Sequence, residues 1–261
     1  MADVQGGWAA IQQEATVLAG EAAERDIVVR IVGSAGIRLH CAGASATMDL
    51  VDRRAKDLDV VVRGRDRSRL RDLLEARGYL VDRDLLVAME GTRFAFSHPD
   101  TGVDIDVFVD KLEFCHTIEL DDRWARHPTT LPVEDLLLQK LQVHEPTVTD
   151  MLDAAVVLAT HDVGDGSDPE EIDAGYLAGL LARDWGFHRD ATANLERVRA
   201  TIDEESQSRL PAKAGERARR GTAALAGAIA EAPKSRGWRM RARIGERMQW
   251  WDDVNEREDT Y

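Results

Sequence analysis

Cysteine is almost absent from this sequence. Two residues, Cys41 and Cys115, cannot build a disulfide framework and cannot cage a zinc ion alone. Long apolar runs are missing too, and none approaches a membrane span. The first residues, MADVQGGWAAIQQEA, carry neither a basic segment nor an apolar one, so no secretory leader is expected. These absences point to a cytoplasmic, reduced protein. No G-x-x-x-x-G-K-[ST] run occurs, which removes P-loop chemistry. There is no internal repeat. Positive charge is also scarce: 34 Lys and Arg stand against 48 Asp and Glu, a net charge of −14. General DNA binding wants a basic body, and this chain lacks one.

What is present is enough to fold. At 261 residues with 44% hydrophobic and 31% charged side chains, a core is within reach and disorder of the whole chain is excluded. The charge is uneven. Residues 195–247 hold 13 basic and 7 acidic side chains, whereas the first 194 residues hold 20 and 36. The basic stretch is either a solvated helix surface or a local contact for a polyanion.

The pattern along the chain predicts a helix over 8–24, a strand over 27–33, a short helix to about Gly43 and a loop over 44–55. A strand at 58–62 and a helix at 65–78, with Leu70, Leu73 and Leu74 inward and Gly78 as its cap, come next. Residues 79–89, 91–98 and 102–110 read as three strands. After Pro132 the chain reads as helical: 133–142, 148–161, about 169–183, 187–207, a helix after Pro211 and one over 238–253. This is an α/β fold, a small mixed-sheet domain over residues 1–130 followed by a helical domain over 131–261.

Three features can carry chemistry. Gly33 and Ser34 sit between a strand and a helix, where backbone N–H groups and the dipole suit a phosphate; the plain alternative is a Ser N-cap. Asp57 and Asp59 run into Val60-Val61-Val62. On a strand, residues i and i+2 face one side, so the two acids point together while Leu58 and Val60 face the core. Adjacent carboxylates repel, and a hard dication relieves that repulsion. The spacing alone proves nothing, because the chain has 29 aspartates and three D-x-D triplets. Asp106 lies inside an apolar strand, where its charge is costly unless paired or metal-bound. It completes a three-acid cluster if the two strands are neighbours, with Asp104 as the competing choice. Asp82 and Asp84 read as surface. Arg53, Arg54 and Lys56 either meet a triphosphate or belong to a solvated loop. His40 either faces a cleft or is partly buried. Cys115-His116 has no second pair at metal spacing, and Cys41 reads as core. Lys140 either reaches phosphates or snorkels to solvent.

A strand ending in Gly-Ser, a helix, an Asp-x-Asp entering a strand and a third Asp on a later strand resemble the DNA polymerase β-like nucleotidyltransferase superfamily, over residues 27–110. LPVEDLLLQKLQ and TDMLDAAVVL look like the helical part of the abortive-infection toxin-type nucleotidyltransferases. There a lysine on one helix and an Asp-x-x-Asp on the next lie near the nucleotide; the matching residues are Lys140, Asp150 and Asp153. The sequence departs from the pattern in the 22 residues between Ser34 and Asp57, and in Val148-Thr149, where a basic residue is often seen.

The resemblance implies a Mg²⁺-dependent enzyme, with Mn²⁺ as a substitute. It would move a nucleoside monophosphate from a nucleoside triphosphate to a hydroxyl of an RNA 3′ end, a protein or a small molecule. Asp57 and Asp59 would hold the metal ions, and Asp106 would share the second ion and act as base. Gly33 and Ser34 would cradle the β- and γ-phosphates. Lys140 would neutralise the leaving pyrophosphate from the opposite side of a cleft, near Asp150 and Asp153. The alternative is a catalytically idle nucleotide-binding or protein-interaction module on the same fold. No membrane partner is expected. At the C-terminal end, Trp238, Arg241, Ile244, Met248 and Trp251 share a stripe at helical spacing. That stripe reads either as a terminal helix docked on its neighbours or as one that shows Arg239 and Arg243 to RNA.

Overall fold

Ile11, Ala15, Leu18 and Ala22 recur at helical spacing, and all four are buried in the first helix, α1 (Trp8–Glu24). The computed structural model describes residues 8–43, 57–207 and 209–253. Among them, α1 is followed by β1 (Val29–Ile31), α2 (Gly33–His40), β2 (Asp57–Val62), α3 (Arg67–Ala76), β3 (Leu80–Val81), α4 (Arg83–Ala88), β4 (Arg93–Ser97) and β5 (Asp104–Val109). The strands form one five-stranded mixed sheet in the order β1-β2-β5-β4-β3. β2 and β5 run parallel, and the other neighbours run antiparallel. The chain divides into two compact units. One runs to Leu112 and resumes over Glu119–Leu136; the other comprises Glu113–Ile118 and the residues from Leu137 onward.

Alternation decides which sheet face is covered. Leu58, Val60 and Val62 of β2 and Ile105, Val107 and Val109 of β5 join α1 and the α3 leucines Leu70, Leu73 and Leu74 in one core. Each fully buried branched side chain contributes about 1.5–3 kcal/mol. α3 ends where its glycine signal places the end. Gly78 adopts φ +94° past the cap, and Tyr79 N–H donates to Leu74 O, which satisfies a carbonyl of the last turn.

The strand expected over 79–89 is corrected. Only Leu80–Val81 are extended, and α4 follows. Asp82 accepts from the backbone N–H groups of Asp84 and Leu85 at 3.1 and 3.0 Å. That N-cap rewards a helical turn locally and outweighs the strand preference of the leucines and valine. Past β5 the hairpin strands β6 (Lys111–Glu113) and β7 (Thr117–Glu119) appear, also unanticipated. A short 3₁₀ turn carries Arg123, which is buried with Glu134 and Asp135. Its Nε lies 2.7 Å from Asp135, and Nη2 pairs with Glu134. Burial alone would lower the Arg123 pKa, but the two carboxylates outweigh it and raise it.

The rest is largely helical: α5 (Val133–Leu141), α6 (Val148–Thr160), α7 (Ala174–Leu181), α8 (Trp185–Glu205), α9 (Ala212–Glu231) and α10 (Arg236–Ile244). α6 is apolar nearly all round and packs against α8 and α9. Gly221 keeps α9 close there, since a Cβ would stand 3.2 Å from Val163 Cγ2 and touch Leu158. Asn194 of α8 donates from Nδ2 to Leu141 O and Val143 O, tying off the end of α5. No helix among the described residues is long and apolar enough to cross a membrane.

Candidate functional site

The sheet face opposite the core carries the acids. Register aligns Asp57 with Asp104 and Asp59 with Asp106 across β2 and β5. Neighbouring strands lie about 4.8 Å apart, so Asp59 and Asp106 are side by side on one face, with Asp57 and Asp104 one step along it. Asp57 is exposed; Asp59, Asp104 and Asp106 are half-buried. The three acids singled out in the sequence therefore share a face, and Asp104 belongs to the same row.

Gly33 explains how Asp59 fits. It opens α2 with φ +62°, and a Cβ there would stand 2.1 Å from Asp59 Oδ2. Val32 N–H donates to Asp59 O at 2.9 Å, locking the start of α2 onto β2. The Asp59 carboxylate thus lies against the positive end of a helix dipole, which stabilises an anion. Ser34 is the second residue of α2 and half-buried. It is not the N-cap; Val32 holds that position without a side-chain cap bond. Arg53, Arg54, Lys56 and the loop at 44–55 lie outside the described residues.

Sequence reasoning missed Arg93. On β4 it stands on the same face, its Nη2 2.9 Å from Asp106 Oδ2, with its guanidinium 4.9 Å from the Phe108 ring centre. The other oxygen, Asp106 Oδ1, is buried and has no hydrogen-bond partner among the described residues. A buried carboxylate oxygen without a donor is costly and suits a cation or a proton-bearing ligand. Comparison with family models, with curated proteins and with solved structures finds no match.

Lys140, Asp150 and Asp153 are brought together inside the helical unit. Lys140 Nζ lies 3.0 Å from Asp150 Oδ1 and 2.9 Å from Asp153 Oδ2. The i, i+3 spacing puts both acids on one face of α6. Lys140 does not snorkel, for it is only 8% exposed, and Asp153 is 1% exposed. Burial disfavours the ammonium, but the two carboxylates outweigh this and raise its pKa. Asp150 has a second task. Its Oδ2 accepts from Thr147 N–H and Oγ1 at 3.0 and 2.7 Å, closing a capping box at the start of α6. Burial opposes its ionisation, and Lys140 and Thr147 together bring its pKa below the usual range.

His40 is partly buried, its Nε2 3.0 Å from Leu131 O. Cys115 and Cys41 are buried and outside any disulfide. His116, without a partner in the sequence pattern, meets Asp190 at 2.8 Å, and His144 meets the same carboxylate at 3.0 Å. No sequence spacing could have paired residues this far apart.

The terminal helix is corrected as well. α10 stops at Ile244, because Gly245 takes φ +61°, instead of running to 253. The expected stripe is therefore broken before Met248 and Trp251, and the chain turns back. Trp250 Nε1–H donates to Asp190 Oδ1 at 3.1 Å, and the Trp251 ring stacks on His144 with centroids 3.6 Å apart.

Proposed function

We propose that the α/β unit is a divalent-metal-dependent nucleotidyltransferase of the DNA polymerase β-like type. The observation that carries this reading is the alignment of Asp59 with Asp106 on one half-buried face, with Asp106 Oδ1 buried and undonated. Carboxylate oxygens are the hard donors that Mg²⁺ or Mn²⁺ takes, so the residues fit the ion. Asp57, Asp59 and Asp106 would hold it, and bound there it would neutralise triphosphate charge and polarise the α-phosphate. The chain's own residues do the rest. Gly33 leaves room for the Asp59 carboxylate, and the start of α2 beside Ser34 favours anionic phosphate oxygens. Asp106 accepts the proton of the acceptor hydroxyl. The acceptor is an RNA 3′ end, a protein or a small molecule. The Lys140–Asp150–Asp153 cluster supports the toxin-type branch by composition. Its lysine is already paired, so a phosphate would have to compete with two carboxylates for it. Buried cysteines at 41 and 115, outside any disulfide, suit a reducing, cytoplasmic setting.

A second reading has an observation of its own. The Arg93–Asp106 pair puts a guanidinium on the acid proposed as base. This favours a catalytically idle nucleotide-binding or protein-interaction module. One experiment separates the two. The chain is incubated with each α-labelled nucleoside triphosphate, Mg²⁺ or Mn²⁺, and a mixture of RNA, protein and small metabolites, beside the Asp59→Asn variant. Label transferred by the parent and not by the variant supports the enzyme. Triphosphate affinity that no divalent ion improves, with no label transferred, leaves the idle module.

A further inference from the structure

Four of the chain's six tryptophans gather in one place. Trp185, Trp238, Trp250 and Trp251 line a cleft of about 400 Å³ within the helical unit, with the exposed Arg183 beside it. Its walls are held firmly. Trp250 meets Trp185 and Trp251 edge-on at 5.7 and 4.8 Å. The Arg241 guanidinium covers Trp185 at 4.8 Å and donates to Gly245 O and Met248 O, pinning the returning chain. One donor is left over: Trp238 Nε1 is buried and has no hydrogen-bond partner among the described residues. Half-buried indoles around an open cleft make a stacking surface for a flat ring.

The helix that forms one wall carries charge on its outside. Arg236, Arg239 and Arg243 are exposed and share one face of α10 by their 3- and 4-residue spacing. Among the described residues none of the three pairs with a carboxylate, and Arg239 donates from Nε and Nη2 to Lys234 O at 3.0 and 2.8 Å. Like charges stacked along a helix repel. On a chain of net charge −14, such a row is best matched by a polyanion. The cleft's own acids, Asp184 and Asp252, do not occupy that row. Met240 and Ile244 stand exposed beside it, as they would on a lipid-facing helix. The tryptophans, however, line the cleft instead of that outer face, and a lipid-facing helix would turn its aromatics outward.

We infer that the helical unit binds single-stranded RNA, stacking a base in the Trp185–Trp238–Trp250–Trp251 cleft and neutralising phosphates on Arg236, Arg239 and Arg243. Bases of a single strand are splayed and available for stacking, whereas those of a duplex are not. The site is independent of the carboxylate face and needs no metal.

The test uses the full chain in EDTA with a fluorescein-labelled 12-nucleotide RNA, read by anisotropy and by quenching of tryptophan emission. The single strand should bind and quench. A matched duplex, and the same strand with abasic positions, should bind about tenfold or more weakly. Arg236→Gln/Arg239→Gln/Arg243→Gln changes exposed side chains, removes the two exposed bonds from Arg239 to Lys234 O, and should fold. It should lower the slope of log affinity against log salt by about 2, at ~0.7 for each phosphate left without its arginine. Asp59→Asn should bind as the parent does, even if the nucleotidyltransferase reading fails. Equal binding of abasic and normal strands, an unchanged salt slope, or binding to phosphatidylglycerol vesicles with none to RNA would overturn the inference.

Discussion

Replacing Gly33 by alanine tests the carboxylate face through its tightest contact. Gly33 sits at φ +62°, and an added Cβ would lie 2.1 Å from Asp59 Oδ2 and 3.1 Å from its Cγ. Two costs follow. An L-residue in the left-handed region costs about 1–2 kcal/mol. Pushing the carboxylate aside by roughly an ångström forces it off its rotamer, at about 0.5–1.5 kcal/mol. Together the loss is about 1.5–3.5 kcal/mol, or ~3–14 °C in melting temperature for a domain of this size. Gly20 is the control. It lies exposed in the middle of α1, and a methyl group added there would meet nothing within 4 Å. Alanine there should raise stability by about 0.5–1 kcal/mol. Thermal unfolding followed by circular dichroism reads both variants. Titration with a non-hydrolysable triphosphate, with and without Mg²⁺, reads the site. Gly33→Ala should lose the Mg²⁺-dependent gain in affinity along with the stability. A Gly33→Ala chain that melts within ~2 °C of the parent and binds triphosphate unchanged would refute the packing of Gly33 on Asp59.

Asp59→Asn keeps volume and removes one charge from the acid row together with the anion that the start of α2 stabilises, so in EDTA it should melt within ~2 °C of the parent while losing Mg²⁺-dependent triphosphate binding; a larger fall in melting temperature would sink the repulsion argument. Lys140→Met takes away the ammonium that Asp150 and Asp153 face, and should cost about 3–5 kcal/mol in urea unfolding, with part recovered in Lys140→Met/Asp153→Leu. Burial opposes the charge of Asp190, but hydrogen bonds from His116, Trp250 and His144 outweigh it and depress its pKa. Its stabilising contribution is therefore complete above the unfolded value of about 3.9 and is lost as pH falls through the lower folded value. The urea midpoint should drop in that acid window, and Asp190→Asn should flatten the drop. The Lys140 pKa is raised, so its contribution is full below about 10.4 and disappears only as pH climbs past that value.

Much of the α/β unit was legible because its signals are local. Alternation in DLDVVV and DIDVFV reports two half-covered strands, since successive side chains on a strand face opposite ways. The Leu70–Leu73–Leu74 spacing and Gly78 report one helix and its end. The placing of Asp57, Asp59 and Asp106 on apolar strands was visible too. Their neighbourhood was not. That β2 pairs with β5 in parallel, in the register that matches Asp59 with Asp106, depends on strand order, which no local pattern encodes. Residues 79–89 misled for a related reason. Leucine and valine suit either state, and a single cap by Asp82 settled it.

The sequence by itself determined the α/β-then-helical order, the alternating faces of β2 and β5 and most helix spans, because each follows from periodicities of two or 3.6 residues along the chain. Only the tertiary structure decided the partners of charged groups. Arg93 reached Asp106, Arg123 reached Glu134 and Asp135, and Asp190 gathered His116, His144 and Trp250. A buried charge must find its complement wherever folding brings one within about 3 Å, and sequence distance places no constraint on that choice.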